Sequence, residues 1–362
     1  MRTLFRGTVA ACSLLAAGCG VESDFANVDE TTVAARGNAL AYTDLAYTPV
    51  DVSIGPANYD FWGPVGVSDK GELLGQGVEC DDEFVVCTFD LIKRQTNGTF
   101  VLVAEDFSVN DVTSEGDVGG CAVDPETSIL QAAIVDKQGN LELIPRLVGE
   151  EASCVVKIGS DRVAAVISQS GEAFSTYVFD KGRVVPFPLD RFEASVQDIN
   201  AKGQVAGIID SDPDAERAYR FDAGSETITI LEPIEGDPHS WGQAIDKQGN
   251  VLGYSFAFSG VERIGSWNEG NEFEVSFVEG TAEFPTVSNH LIWNDAGLIV
   301  VSQSNNDPNT YLIPEPGVRL NLADLVGGAP FSSNLYALSI NKRGDFLAFS
   351  DFDGSSFLFL RQ

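Results

Sequence analysis

The pattern I-N-x-x-G-x-V-x-G, written out in residues 198–207 as Asp198-Ile199-Asn200-Ala201-Lys202-Gly203-Gln204-Val205-Ala206-Gly207, returns along the chain at a nearly fixed interval. It reads as a strand ending at Ile199, a tight turn over residues 200–203, and a second strand carrying Val205. Asn or Asp at the head of such a turn accepts backbone hydrogen bonds from two residues on, and Gly supplies the positive φ that a hairpin needs. Copies open at Val67, Val112, Ile158, Ile199, Ile245, Trp293 and Ile340, with spacings of 45, 46, 41, 46, 48 and 47 residues. The third copy is degenerate: Ile158-Gly159-Ser160-Asp161 runs into Val163 one residue short in the turn. Strand-rich repeats of this period signify propeller blades rather than helical solenoids.

Each unit carries a second hairpin. In the third it is residues 172–179, a turn at Asp180-Lys181-Gly182, then residues 184–187; the fourth and fifth units turn at Asp222-Ala223-Gly224 and Asn268-Glu269-Gly270. Four strands per unit, A to D, make a blade. The seventh unit stops after strand C at Gln362, while one unassigned strand, residues 49–54, precedes the first unit. Placing it as the outer strand of the last blade covers an exposed edge and closes the ring. The predicted fold is therefore all-β, a seven-bladed β-propeller of four antiparallel strands per blade. The count depends on accepting the weak third unit.

Composition agrees: 44% of the 362 residues are hydrophobic, with 36 Gly and 23 Phe, and no long segment has helical periodicity. The formal charge is −32. Such a surface repels nucleic-acid phosphates and anionic lipid headgroups, and favours divalent cations or basic partners.

The first residues read as a targeting segment. Arg2 and Arg6 precede a short apolar stretch closed by Ala16-Ala17-Gly18-Cys19. The segment resembles a bacterial lipoprotein signal, which implies lipidation of Cys19; Gly20 after it, in place of aspartate, implies the outer membrane. Ala16 departs from the usual leucine, and an ordinary secretory signal is the alternative. Either reading exports the protein. The resulting division is residues 1–18 signal, 19–38 flexible tether and 39–362 propeller. Without Arg2 and Arg6 the chain carries 20 basic residues against 54 acidic ones, a charge of −34. Export permits disulfides, and Cys80 with Cys87, and Cys121 with Cys154, are the expected pairs. Zinc binding is the alternative, for which Cys-x6-Cys with a distant second pair is poor spacing.

The seven turns, together with Ala173-Phe174, resemble the HAF-type bacterial extracellular repeats over about residues 60–362. That resemblance implies an architecture and carries no catalytic residues.

Several residues are candidates for function. Half of the 20 basic residues fall in A–B and C–D turns, among them Lys70, Lys202, Lys247 and Lys342, whereas the B–C loops hold Asp81, Asp82, Glu83, Asp124, Glu126, Asp210, Asp212, Asp214, Asp307, Asp351 and Asp353. An acidic face opposite the A–B turns is expected, to meet cations or a basic partner. Asp210, Asp212 and Asp214 alternate as oxygen ligands for Ca²⁺ would, although Pro213 and the lack of a distal glutamate depart from an EF-hand loop. Aromatics near the start of strand A, with Trp62, Phe107 and Trp241 foremost and Phe61, Phe284 and Phe331 beside them, would either stack a sugar or peptide at the channel mouth or pack between blades. Asp111, Lys157 and Asp198 share one repeat position in consecutive blades and would line the channel as an ion-paired chain. His239, placed in a D–A loop, and His290, in a strand A, share no register with a nucleophile, and no G-x-S-x-G or H-E-x-x-H occurs.

The resulting expectation is an exported, membrane-anchored, monomeric binding or scaffold module with a protein or carbohydrate partner, used through its acidic face or channel mouth. The competing expectation is a carboxylate- or Ca-dependent hydrolase or lyase at that mouth. Neither reading involves nucleic acid, and membrane contact is only through the lipid anchor.

Overall fold

The computed structural model describes residues 45–81, 87–189, 194–212, 215–257, 261–279, 288–294, 296–303, 310–326, 335–350 and 354–362. They form seven four-stranded antiparallel sheets, each a meander of consecutive strands with the exception of the last. Blade 1 is Phe61–Val67, Leu73–Cys80, Cys87–Arg94 and Phe100–Ala104, and blade 4 is Ala194–Ile199, Gln204–Asp212, Ala215–Asp222 and Thr227–Leu231. Strands A of the other blades are Phe107–Val112, Ala152–Ile158, His239–Ile245, Ser288–Trp293 and Leu335–Ile340.

The last blade takes its outer strand from the other end of the chain. Tyr47–Asp51 pairs antiparallel with Ser356–Arg361, running from Tyr47 opposite Arg361 to Asp51 opposite Phe357. The closing strand begins two residues earlier than the pattern of alternating residues indicated. Beyond it, Val52 N–H still donates to Ser356 O at 2.9 Å.

The apolar residues gather into seven separate cores, one at each seam between neighbouring blades. Val178, Phe187, Val205, Tyr219 and Phe221 fill the seam of blades 3 and 4. Val52, Trp62, Leu73, Ile92, Leu347 and Leu358 fill the seam where blade 7 meets blade 1. Alternation along each strand sends side chains to both faces of the sheet, so each blade supplies two cores.

Both cysteine pairs are bonded. Cys80 and Cys87 face each other across strands B and C of blade 1. Cys121 in strand B of blade 2 joins Cys154 in strand A of blade 3, stapling one seam.

The degenerate third turn is a short 3-10 turn over Ser160–Arg162, with Asp161 and Arg162 at φ of 62° and 60°. Gly159 replaces Asn because a Cβ there would lie 2.7 Å from Ile199 O, against the turn of the next blade.

Candidate functional site

The last Gly of the repeat pattern sets up the channel. A Cβ at Gly207 would sit 1.9 Å from Ser195 O, and the same approach recurs at Gly120 and Gly253. Strand A comes this close because it bulges: its register slips between Val196 and Asp198 in blade 4, with the equivalent slip in blades 1, 2, 3, 5 and 7. A bulge inserts one unpaired residue and re-aims its neighbours. Here the bulged residue and the next both line the channel, as in Gln197 with Asp198, Gln243 with Ala244 and Leu338 with Ser339.

At the A–B turn side the central channel holds an open cavity of about 430 Å³ lined by six blades. Its rim carries Glu115, Asp161, Lys247 and Lys342. Below the rim, strand A places Asp111, Lys157 and Asp198 on blades 2, 3 and 4, and Ala244, Ile292 and Ser339 on blades 5, 6 and 7. One arc of the lumen is thus charged and the facing arc is small or apolar, with Leu338 39% exposed.

The charged arc is built into the fold. Lys157 Nζ lies 3.8 Å from Asp111 Oδ1, while Asp111 Oδ2 accepts the Ile158 N–H of the next blade at 2.9 Å. Asp198 Oδ2 accepts the Ile245 N–H at 2.8 Å, and Ser339 Oγ accepts the Val67 N–H at 3.3 Å across the closure. Lys157 has no acceptor to offer blade 4, and there Asp198 Oδ1 takes the Ile199 N–H of its own blade at 2.8 Å. These side chains touch the lumen but are otherwise walled by protein. Desolvation pushes the Asp198 carboxyl up to about 6, against the pull of its backbone donors and of Lys157. The Asp111 carboxylate beside Lys157 holds its ammonium above the ordinary range.

Where Asn opens the turn, at Asn200, Asn294 and Asn341, it does more than cap it. Asn200 Oδ1 accepts from Lys202 N and Gln204 N, as an Asx turn requires. Its Nδ2 donates at 2.8 Å to Asp246 O in the next blade. Asn294 reaches Asn341 O in the same way, and Asn341 reaches Ser68 O.

The remaining sequence candidates are placed as follows. Phe107 is wholly buried in the core between blades 1 and 2, and Trp62 is 6% exposed with its indole N–H bonded to Val52 O. Trp241 packs on the core between blades 5 and 6, edge-on to Phe256, and donates to Glu216 Oε2 at 2.8 Å. None of the three lines the turn-side cavity. Phe284 and Phe331 lie outside the described residues. His239 opens strand A of blade 5, His239–Ile245, rather than standing in the D–A loop. Its ring stacks on Phe256 and its Nδ1 accepts the Glu216 N–H at 3.3 Å. Asp210 is exposed near the end of strand B of blade 4. Asp214 and the Asp212 side chain lie outside the described residues, as do Asp82, Glu83, Asp307, Asp351, Asp353 and Cys19. Among the described residues no three His, Cys, Asp or Glu side chains converge as a metal site. Of all these candidates, the structure brings Asp111, Lys157 and Asp198 together in a cavity. The bulge that aims them, and the apolar arc of Ile292 and Leu338, went unseen in the sequence; the one available signal was the Gly recurring four residues after the turn Gly.

No family model and no curated protein matches the chain. Solved structures do. The β-propeller domain of the Trilobed protease from Pyrococcus furiosus, with an open velcro topology, aligns with a TM-score of 0.56 at 9% identity over 85% of this chain and 96% of that one. Oligogalacturonate lyase in complex with manganese gives 0.53 at 15% identity over 88% and 96%. Pyrococcus horikoshii acylaminoacyl peptidase gives 0.57 at 12% identity over 89% of this chain and 53% of that one, so the chain spans about half of the peptidase. At such identities the likeness is one of fold. In this chain the ring is closed by the strand Tyr47–Asp51 on Ser356–Arg361. The chain is a seven-bladed β-propeller.

Proposed function

We propose that this protein is an exported, lipid-anchored binding module of HAF-type repeats that takes its ligand in the central channel at the A–B turn side. The cavity bounded by Asp111, Lys157, Asp198, Ile292 and Leu338 carries this reading: it has the volume of a small-ligand site and offers charged and apolar walls together. Two formed disulfides support an oxidising compartment. The test is a thermal-shift screen of small soluble ligands against wild type and Leu338→Arg, whose side chain fills the lumen. Ligands that stabilise the wild type alone bear the reading out; ligands that stabilise both equally overturn it. For the anchor, Cys19→Ser is expected to release the protein from the membrane fraction.

Asp198 favours a second reading, a carboxylate-based hydrolase or lyase at the same mouth, because a carboxyl pushed up to about 6 suits proton transfer near neutrality. Against it, both Asp198 oxygens are held by backbone N–H groups. The binding reading needs no release of those bonds.

A further inference from the structure

Resting on the channel-mouth reading, we infer that the ligand is a small organic cation, an ammonium or guanidinium group carried on an apolar stem. Lining charge is the first observation. Asp111, Glu115, Asp161 and Asp198 stand against Lys157, Lys247 and Lys342, leaving one negative charge in excess. That excess sits deep, since Glu115 at the rim is paired with Lys342 at 3.4 Å. Inside, Lys157 stands 3.8 Å from Asp111, so the single ammonium is engaged toward blade 2 and Asp198 on blade 4 is the less neutralised carboxylate.

The second observation is the opposite wall. In a ring of seven, blade 3 faces the gap between blades 6 and 7, so Lys157 and its two carboxylates look across the lumen at Ile292 and Leu338. A bare divalent cation would need several converging oxygens with free lone pairs, whereas Asp111 and Asp198 are separated by Lys157. Asp111 already accepts one backbone N–H and Asp198 two, leaving room for a single further hydrogen-bond donor rather than a coordination shell. A group with its charge at Asp198 and its hydrocarbon on Ile292 and Leu338 satisfies both walls. An anion drawn to Lys157 would meet two carboxylates. A wholly neutral ligand would leave the excess charge unanswered.

The test is isothermal titration calorimetry at pH 8 with n-hexylammonium, 1-hexanol and hexanoate, on the wild type, Lys157→Gln, Asp198→Asn and Leu338→Arg. Hexylammonium is expected to bind the wild type, with 1-hexanol and hexanoate at least about tenfold weaker. Asp198→Asn weakens hexylammonium by about tenfold or more, and Lys157→Gln, which removes the internal competitor, tightens it about fivefold. That tightening separates a binding role from damage to the fold, and it stands even where Asp198→Asn fails to fold. Agmatine against a peptide ending in an exposed arginine then distinguishes a free cation from a protein side chain. Equal or preferred binding of 1-hexanol or hexanoate, lost in Leu338→Arg, overturns the cation and leaves the mouth as the site. Absence of binding by all three probes, together with screening hits indifferent to Leu338→Arg, overturns the mouth as well.

Discussion

Asn341 donates through Nδ2 to Ser68 O at 2.9 Å, joining residues 273 positions apart across the seam where the last blade meets the first. Both are buried, Asn341 completely and Ser68 to within 2%. The same Nδ2 donates to Asp345 Oδ2 at 2.9 Å, so this amide answers two oxygens at once. Asn341→Asp would set a carboxylate against both and is expected to cost at least about 3 kcal/mol. Urea melts of the variant and the wild type check this; a loss within 0.5 kcal/mol, on the order of an ordinary surface change, would mean that the bond does not hold the seam.

Two glycines of one hairpin separate backbone freedom from close approach. Gly203 has a φ of 76°, and the nearest atom to a Cβ there is Ala223 Cβ at 3.3 Å, a contact relieved by a shift of a few tenths of an ångström. Gly203→Ala is therefore expected to cost about 1 kcal/mol, chiefly through the dihedral. Gly207→Ala forces a methyl into Ser195 O and is expected to cost about 3 kcal/mol. Equal losses for the two variants in chemical denaturation would contradict the bulge.

Asp198 gives the stability a pH signature. Its folded carboxyl, raised to about 6, binds a proton more tightly than the unfolded carboxyl near 4. The folded state then holds the extra proton between about pH 4 and 6, so this group's contribution to stability falls as pH rises through that window and is level above it. Subtracting the Asp198→Asn profile from the wild type should isolate the slope. Carboxyl carbon NMR should find the midpoint near 6, and higher still in Lys157→Gln, which removes a neighbouring positive charge. A midpoint near 4 would place Asp198 in ordinary solvent.

The two disulfides differ in what they close. Cys121 and Cys154 are 33 residues apart and span a seam, whereas Cys80 and Cys87 are 7 apart within one hairpin. By loop entropy, removing the first pair costs about 4 kcal/mol and removing the second about 2 kcal/mol. Thermal melts of the paired Cys→Ala variants check the order; the reverse order would show that the seam staple does not restrict the unfolded chain as described.

Blade number and ring closure were legible in the sequence because a tight turn has demanding chemistry. The turn glycine recurs at positive φ in six of the seven copies, Gly203 among them, whereas the residue heading the turn varies among Asn, Asp, Ser, Thr and Gly. The edge of the strand Ser356–Arg361 is covered by the strand around Val50. The pairing of Cys121 with Cys154 was legible once adjacent blades were counted. Which side of the ring holds the described cavity was not. The acidic B–C loops point to the face opposite the turn at Asn200, while the cavity opens beside that turn. The reason is the bulge at Gln197: one inserted residue turns two consecutive side chains to the lumen, and no alternation of polar and apolar residues announces it. Phe107 and Trp62 take the packing alternative of the two the sequence offers, since both lie in cores between blades. The cross-blade bond of Asn200 to Asp246 O joins atoms 46 residues apart, and an Asx turn alone explains the Asn equally well.

The most direct test of the channel as the binding site is a methyl and amide NMR titration of the folded protein with a pooled library of amines, sugars, carboxylates and short peptides. The account predicts that the ligand that binds shifts the Leu338 methyls and the Gln197 and Gln243 side-chain amides, and leaves Asp124, Glu126 and Asp210 unmoved. Shifts confined to Asp124, Glu126 and Asp210, with the lumenal signals unchanged at saturation, would contradict it.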